Sequence, residues 1–298
     1  MYTGGVNKKK VITHSGSFHA DDVFAIAAFQ LLLGKENIEV IRTRDESVIT
    51  SGDYVVDVGG VYDHESKRYD HHQPGAPVRE NGIPYAGFGL MWRHYGEEIC
   101  GSKEVAQKIE EKYVLAIDAS DNAQVFWETN ELGVSPLEWD DIVKLWRADD
   151  SENEDMDTQF FSIVAVVRVY LERIVRRQQK KLQEQVRADA MYEAAVDKSI
   201  IVSDTFIARS FFIKYPETNV VVFPRTADVE AGWVAVAVQV DEVGYKTKVQ
   251  FPESWAGLHD EPLREVSGMA DAVFTHGDRY MFIAKSKESA IAAAKLAK

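Results

Sequence analysis

The stretch VVDVGGVYDHESKRYDHH at residues 55–72 decides how the N-terminal half of this chain folds. Its first residues are apolar around Asp57, which predicts a buried strand over residues 54–58. It ends in the triplet Asp70-His71-His72. Adjacent side chains of an extended strand point to opposite faces, so three neighbouring ligands reach one centre only where the backbone turns. We therefore expect a loop at a strand end that contributes to a metal cluster.

The composition limits the class of protein. A chain of 298 residues is expected to form two domains. The net charge of −14 argues against a broad basic face for nucleic acid, although bound metal ions would neutralise carboxylates in a nuclease site. A single cysteine excludes an intrachain disulfide and a thiolate zinc cluster. Residues 1–10 lack a signal-peptide core, and no apolar run reaches the roughly 20 residues of a membrane span. These features predict a cytoplasmic protein with no membrane partner, and they leave its oligomeric state open.

Strand and helix signals alternate in the first third of the chain. Strands are predicted at residues 10–13, 38–41 and 54–58, and the helix after the first strand is expected to stop at Gly34. This alternation is typical of an α/β fold with a parallel sheet and covering helices. Functional groups of such sheets collect at the carboxyl ends of the strands, which is where His14 and Asp57 are expected.

The second half of the chain has a different character. A helix of residues 158–195, without glycine or proline, predicts a connection between two domains. Strand signals then predominate, together with two helical stretches. Those strands are predicted at residues 199–202, 220–223, 233–240 and 246–251. We expect a catalytic domain over residues 1–195 and a smaller α+β domain over residues 196–298.

Five of the eight histidines fall within the first 72 residues, interleaved with aspartates at two strand ends. Imidazole and carboxylate ligands together suit Mn, Zn, Co or Fe better than Mg or Ca. Two such ions would bind both the attacking and the leaving oxygen of an in-line displacement at phosphorus. Asp57 is the candidate for bridging them, because an unpaired carboxylate inside an apolar strand would be costly. The alternative interpretation is a set of solvated loop residues with one or two core histidines.

Four motifs make the chain similar to the DHH phosphoesterase superfamily, and more closely to its melanocyte-proliferating-gene (Myg) branch of manganese-dependent RNA exonucleases. They are THSGSFHADD at residues 13–22, VVDVGG at 55–60, RYDHHQ at 68–73 and IDASDN at 117–122. WAGL at residues 255–258 and VSG at 266–268 extend the resemblance over almost the whole chain. It implies a DHH-type catalytic domain, joined by the long helix to a substrate-binding domain.

The resemblance also implies two Mn ions, with Zn, Co or Mg as alternatives. One ion would be held by His14, His19 and Asp57. The second would be held by Asp57 again, together with Asp21, His71 and an aspartate of residues 117–122.

For that last ligand we favour Asp118 over Asp121, because Asp118 directly follows an apolar run. His72 would then face the substrate phosphate, and Asp70 would orient the histidines. His72, Asp70 and Asp57 are accordingly the catalytic candidates.

Contacts to substrate are less clearly indicated. Arg42 and Arg44 alternate after a strand and are expected to share one face, where they would contact phosphate or form a structural ion pair. His276 and Arg279 lie where DHH nucleases often bind phosphate through a glycine-rich stretch, which this chain lacks. Basic residues also recur along the long helix, where they would guide a polynucleotide or form an ordinary solvated face. They are Arg173, Arg176, Arg177, Lys180, Lys181 and Arg187.

The leading hypothesis is a two-metal phosphodiesterase that removes nucleotides from RNA or short oligonucleotides, with 3′–5′ polarity implied by the resemblance. A phosphohydrolase of small nucleotides (a nucleotide bisphosphate, a cyclic dinucleotide or pyrophosphate) is the alternative, and the acidic surface favours it. A non-catalytic metal-binding interaction protein is the third hypothesis. The sequence argues against it, because every predicted ligand position is filled. No nucleophile elbow, phosphate loop or zinc-protease motif supports another hydrolase class.

Overall fold

The computed structural model describes residues 8–124, 127–129, 131–149, 151, 153–225, 232–241 and 243–298. Residues 1–7, which belong to the segment predicted to lack a signal peptide, lie outside these ranges. The chain divides into two compact units, residues 1–180 and 181–298. The predicted functional division after residue 195 stays a prediction. None of the helices in the described ranges has both the length and the apolar character needed to cross a membrane.

The first unit is an α/β structure built on a five-stranded sheet. Its strands are β1 (Lys9–Thr13), β2 (Ile38–Arg42), β3 (Tyr54–Val56), β4 (Tyr62–Asp63) and β5 (Arg68–Tyr69). Its helices are α1 (Ala20–Leu33), α2 (Glu46–Thr50), α3 (Gly87–Cys100), α4 (Lys103–Ile109), α5 (Leu115–Asp121) and α6 (Trp139–Lys144). Helix α7 (Met156–Ala194) begins in this unit and ends in the second.

The sheet is parallel except at one edge, as the sequence predicts. The strand order is β2-β1-β3-β5-β4, and only β4 runs antiparallel to its neighbour. In the register, Ile12 lies beside Val55 and Val56 beside Tyr69. The carboxyl ends of β1, β3 and β5 therefore meet at one edge of the sheet.

Burial of apolar residues explains this arrangement. Val11, Ile12, Val55 and Val56 are fully buried, as expected for central strands covered on both faces. Helix α1 is buried around its whole circumference from Ala20 to Gln30, which marks a helix enclosed in a core rather than one lying on the surface. It ends at Gly34, whose φ of +86° a residue with a side chain rarely adopts.

Some predicted boundaries are wrong. Strand β3 ends at Val56, so Asp57 lies just beyond the strand rather than inside it. Residues 246–251 form no strand in the described structure beyond an isolated bridge from Thr247 to Gln239.

The second unit also contains a five-stranded sheet, in the order β6-β7-β8-β10-β9. Its strands are β6 (Ile200–Val202), β7 (Val220–Pro224), β8 (Trp233–Ala237), β9 (Ala272–Thr275) and β10 (Met281–Ala284). Helix α8 (Asp260–Ser267) precedes β9, and helix α9 (Lys287–Ala294) follows β10. A 3₁₀ turn spans Arg209–Phe212. Alternate residues of β7 enter two different apolar clusters: Val220 and Val222 pack with α9, whereas Val221 packs with the end of α7.

An aromatic network fixes β4 and β5 against α3. The rings of His64 and His94 stack with centres 3.7 Å apart, and Tyr62 Oη lies 2.8 Å from His94 Nε2. His64 Nδ1 lies 2.9 Å from Tyr69 Oη, which donates to Tyr95 Oη at 2.8 Å. Burial, together with the charges of His64 and Arg93, lowers the pKa of His94 to about 4. His94 is therefore a neutral imidazole in this stacked pair near neutral pH.

This network predicts acid sensitivity. His94 takes up its proton in the unfolded chain near pH 6.5 but in the folded chain only near pH 4, so its contribution to the free energy of unfolding is lost as pH falls through that window. We expect His94→Gln, which does not titrate, to lose less stability than wild type between pH 7 and pH 4.5. After allowance for solvent screening, the difference should be about 1 kcal/mol. Urea unfolding at the two pH values measures it, and equal losses in both proteins would contradict the assignment.

Candidate metal centre

The parallel sheet brings three strand ends together. His14 follows β1, Asp57 follows β3, and the Asp70-His71-His72 triplet follows β5. The amide of Asp57 donates to the carbonyl of Tyr69 at 3.1 Å, which ties the second and third of these ends directly to each other.

Asp57 is the centre of the cluster. One carboxylate oxygen lies 3.3 Å from His14 Nε2 and the other lies 3.3 Å from His71 Nε2. Its side chain is buried, and its φ of +55° is unusual for a residue other than glycine. Such a conformation costs about 1 kcal/mol or more and is characteristic of functional sites. This left-handed turn at the end of β3 is what aims the carboxylate between two histidines.

One group of ligand atoms surrounds His14. The Oδ2 atom of Asp22 lies 3.2 Å from His14 Nε2, and together with Asp57 the three residues could hold a metal ion. The sequence interpretation did not name Asp22 as a candidate ligand; of the neighbouring pair it named only Asp21, for the second ion. His19, the predicted partner of His14, is exposed and lines the same cavity, with its ring centre 6.1 Å from that of His14.

A second group consists of Asp21, His71 and Asp121, whose ligand atoms all lie within 4.8 Å of one another. The Oδ2 atom of Asp121 is 3.3 Å from His71 Nε2. Both oxygens of Asp21 also accept backbone amides at the start of α3, from Gly87 at 3.0 Å and Phe88 at 2.6 Å. Those amides hold the Asp21 carboxylate in a fixed orientation.

Asp118 lies elsewhere, contrary to the preference stated from the sequence. Its Oδ2 atom pairs with Arg79 Nη2 at 2.7 Å, and its Oδ1 atom accepts the amide of Gly89 at 3.1 Å. Asp118 is fully buried, and its partner Arg79 also binds Glu110 at 2.6 Å. Burial raises the pKa of Asp118 to about 7 against the opposing effect of Arg79. The structure therefore places Asp121, and not Asp118, beside His71.

Within the triplet, Asp70 has the contacts of an orienting residue. It accepts the amides of Gly60 at 2.5 Å, His71 at 2.7 Å and His72 at 3.2 Å. Its Oδ1 atom also lies 2.7 Å from His72 Nδ1, so the imidazole of His72 is held on one side. The side chain of His72 is 63% exposed and lines the cavity.

The cluster opens into a cavity of about 780 Å³. Its lining carries three cations, Arg44, Lys144 and Arg147, of which the sequence interpretation identified only Arg44. Arg147 Nε donates to the carbonyl of Phe18 at 2.8 Å, which anchors its side chain. No sequence motif marks Lys144 or Arg147, because they reach the site only through the packing of α6 and the segment after it.

The other predicted substrate contacts lie outside this cavity. Arg42 is buried, pairs with Asp157 at 2.5 Å and donates to the carbonyl of Gly16, as a structural ion pair would. In the second unit, His276 Nδ1 accepts the amide of Asp278 at 3.1 Å, and Arg279 Nη2 donates to Gln250 Oε1 at 2.7 Å.

The electrostatics of the cluster favour a cation. Burial raises the pKa of Asp121 to about 6, and the charge of Asp57 acts in the same direction. Burial also raises the pKa values of Asp21 and Asp22. In Asp57 the effect of burial is outweighed by His14 and His71, so its pKa is lowered. The four carboxylates of this cluster therefore repel one another when they are ionised, and a bound divalent ion would relieve that repulsion.

Three buried atoms show that the donor set fits such an ion. Asp22 Oδ2, Asp57 Oδ1 and His71 Nε2 make no hydrogen bond of acceptable geometry within the described part of the chain. Buried polar atoms without partners are rare and often mark an ion site. A donor set that combines carboxylate oxygens with imidazole nitrogens suits Mn, Zn, Co or Fe.

The family model and the mouse and chlamydial relatives that match this chain all carry the MYG1 name. The family model described as "Uncharacterised protein family (UPF0160)", with the short name MYG1_exonuc, matches residues 10–297. The MYG1 exonuclease of Mus musculus is 26% identical over 320 residues, covering 95% of this chain and 83% of the mouse protein. The MYG1 protein of Chlamydia pneumoniae is 28% identical over 297 residues, covering 97% and 96% of the two chains.

Among solved structures, a pGpG-specific phosphodiesterase, PggH of Vibrio cholerae, aligns with 97% of this chain and 96% of its own. The identity is 15% and the TM-score is 0.32. A likeness of this size carries no argument about the site.

The two aspartates of α5 can be separated by isosteric substitution. We expect Asp121→Asn to lower the Mn²⁺ content after dialysis with little loss of stability, because it removes a ligand atom facing His71. We expect Asp118→Asn to keep its Mn²⁺ but to melt at a lower temperature, because it weakens the partner of a buried arginine, at a cost of about 1–3 kcal/mol. Elemental analysis and thermal unfolding measure the two effects. A loss of metal from the Asp118 variant alone would reverse the assignment.

Proposed function

We propose, from the premise that this chain belongs to the MYG1 family of uncharacterised proteins (UPF0160), that it is a metal-dependent hydrolase that cleaves phosphodiester bonds in RNA or short oligonucleotides. The observation that carries the proposal is Asp57, whose two oxygens each face a histidine at 3.3 Å. The names of the mouse and human relatives, both MYG1 exonucleases, agree with this class of reaction.

We assign the ligands of each proposed ion from the contacts between side chains. His14, Asp22 and Asp57 would hold one ion, with His19 as a further ligand from the cavity wall. Asp21, Asp57, His71 and Asp121 would hold the other. Manganese is the proposed metal, with Zn, Co or Mg as alternatives.

Divalent ions bound there would supply Lewis acidity and counter-charge for an in-line displacement at phosphorus. The protein's own residues would position the substrate. Arg147, Lys144 and Arg44 line the cavity and would bind the non-bridging phosphate oxygens. His72, held through Nδ1 by Asp70, would donate a proton or a hydrogen bond to the leaving oxygen through its exposed edge.

Three finer parts of the proposal rest on the sequence motifs. We propose that the chain belongs to the DHH superfamily, that its catalytic and substrate-binding domains divide after residue 195, and that it cleaves with 3′–5′ polarity. A cytoplasmic location is also proposed, in keeping with the single free cysteine, Cys100, which is buried.

A small-nucleotide phosphohydrolase is the second candidate function. The net charge of −14 favours it, since a nucleotide bisphosphate, cyclic dinucleotide or pyrophosphate needs no basic track. A non-catalytic metal-binding protein would not need exposed cations beside the cluster, so we rank it last.

One assay separates these functions. Protein stripped of metal and resupplied with Mn²⁺ is offered end-labelled RNA, DNA, dinucleotides and pyrophosphate. We expect a ladder that shortens RNA from one end. Cleavage of only the smallest substrates would favour the second candidate, and no turnover with intact metal binding would favour the third.

The bridging role of Asp57 has its own test. We expect Asp57→Ala to reduce turnover by about 10³-fold or more and to lower the bound Mn²⁺, because both ions lose a ligand. Glu39→Gln, which removes an exposed carboxylate of β2, is the matched control and should keep both properties. Wild-type activity in the Asp57 variant would rule out the bridge.

Variants of the exposed cations on α7 test whether the substrate is a long polynucleotide or a short one. Arg173, Arg176, Arg177, Lys180 and Lys181 are exposed, whereas Arg187 is tied to Glu184 and Ser203. If the exposed cations contact a phosphate backbone, Arg176→Gln/Lys180→Gln should slow cleavage of long RNA several-fold at low salt and leave dinucleotide cleavage unchanged. Lys35→Gln/Lys103→Gln removes the same charge elsewhere on the surface and serves as the control. Equal effects of the two double variants would mean an ordinary solvated helix face.

A further inference from the structure

A second polar cavity, of about 490 Å³, lies within the C-terminal unit. Its walls come from the segment after β8, the turn between β9 and β10, and the 3₁₀ turn at Arg209–Phe212. Four cations line it: Arg209, Lys246, Lys248 and Lys298. The acidic side chain of its lining, Asp278, is 85% exposed and so does little to neutralise them. In a chain of net charge −14, such a concentration of cations indicates an anion site.

Lys248 has a structural role in this cavity. Its ammonium donates to the backbone carbonyls of Tyr215 at 2.6 Å, Thr218 at 3.2 Å and Phe212 at 3.3 Å. Its three protons are therefore used in holding the cavity wall, and it adds charge rather than a free donor.

Arg209 is the free donor. Its Nη1 atom donates to the carbonyl of Ala237 at 2.8 Å, and its guanidinium carbon lies 4.8 Å from the centre of the Tyr280 ring. These contacts fix the plane of the guanidinium but use one of its five N–H groups. No carboxylate of the described residues pairs with it within 4.0 Å. A half-buried, oriented arginine without an acidic partner is suited to a phosphate.

Arg209 also borders a neighbouring cavity of about 260 Å³ with a different lining. Phe206 and Phe223 meet there edge to face with ring centres 5.2 Å apart, and Ile207 and Val236 complete an apolar wall. Phe206 is 51% exposed, so part of its ring is accessible to a ligand. Gln239 supplies an amide at the same cavity.

We propose that these two cavities together bind one nucleotide, with its phosphate on Arg209 and Lys246 and its base against the Phe206 ring. The two linings match the two halves of such a ligand: a cationic pocket for a dianion, and an aromatic surface with one amide for a planar heterocycle. The choice of a nucleotide over another phosphorylated aromatic compound rests on the proposed function. The site would then hold a mononucleotide, such as the product of that reaction.

The test is calorimetric titration of the full-length chain in EDTA with three probes: 5′-AMP, adenosine and inorganic phosphate. Removing the metal weakens phosphate binding at the acidic cluster of the first unit, and the variants of the cationic cavity identify the share of the affinity that belongs to the second unit. We expect 5′-AMP to bind at least about tenfold more tightly than either fragment, because only it fills both cavities. Equal binding of 5′-AMP and adenosine would overturn the proposal.

Variants locate the two halves of the site. Arg209→Met should weaken 5′-AMP binding by about tenfold or more, as expected for loss of a charge-assisted hydrogen bond to phosphate, and should leave adenosine binding unchanged. Phe206→Ala should weaken both. Lys246→Gln, at an exposed position, should weaken 5′-AMP binding without changing the melting temperature, so it decides the question if the Arg209 variant does not fold. Lys285→Gln, an exposed cation outside the cavity, is the control.

The same experiment separates this inference from the proposed function. Binding of 5′-AMP that depends on Arg209 or Lys246, in a protein without hydrolytic activity, would support the site and count against the function. Hydrolysis of RNA by a protein whose 5′-AMP affinity is insensitive to both residues would overturn only the site.

Discussion

The whole N-terminal unit depends on one constraint, the burial of the Asp57 carboxylate at the carboxyl end of β3. An unpaired carboxylate there would be costly, so the surrounding chain must supply partners. The parallel register supplies them, because it brings the end of β1 with His14 and the end of β5 with His71 to the same edge. The left-handed turn at Asp57 then points one oxygen at each histidine. The parallel sheet topology therefore also provides the partners that the buried carboxylate requires.

The elements around this edge maintain its geometry. Gly87, at the start of α3, packs against the Tyr69 carbonyl and the Asp57 amide so closely that a Cβ would lie 3.0 Å and 3.1 Å from them. That close approach allows the first amides of α3 to hold Asp21. The stacked pair of His64 and His94 contacts the Tyr69 hydroxyl and so helps to hold β4 and β5. The candidate metal ligands therefore lie on short segments that packed elements hold in place, which is the arrangement a preorganised site requires.

Sequence patterns predicted the parallel sheet and the meeting of its strand ends, for identifiable reasons. The apolar runs and Gly34 indicated the parallel sheet and the end of α1, because strand and helix periodicities are local properties. The clustering of His14, Asp57 and His71 followed from the rule that strand ends meet in a parallel sheet. The choice of Asp118 over Asp121 was not matched by the contacts, because Asp118 is paired with Arg79, a residue distant in sequence. Local sequence gives no signal of such a partner. Asp22 was missed for a similar reason: which of two adjacent aspartates faces His14 depends on how the first turn of α1 packs.

The sequence by itself determined the class of fold, the residue types of the candidate metal cluster and the strand ends that carry them, because these depend on periodicity and on the order of motifs. Only the tertiary structure decided which carboxylates face the histidines, that Arg42 is an internal ion pair, and that Lys144 and Arg147 line the cavity. It alone revealed the two cavities that share Arg209 in the second unit. These outcomes depend on which distant side chains meet across packed elements, and burial and pairing energies fix that only once the chain has folded.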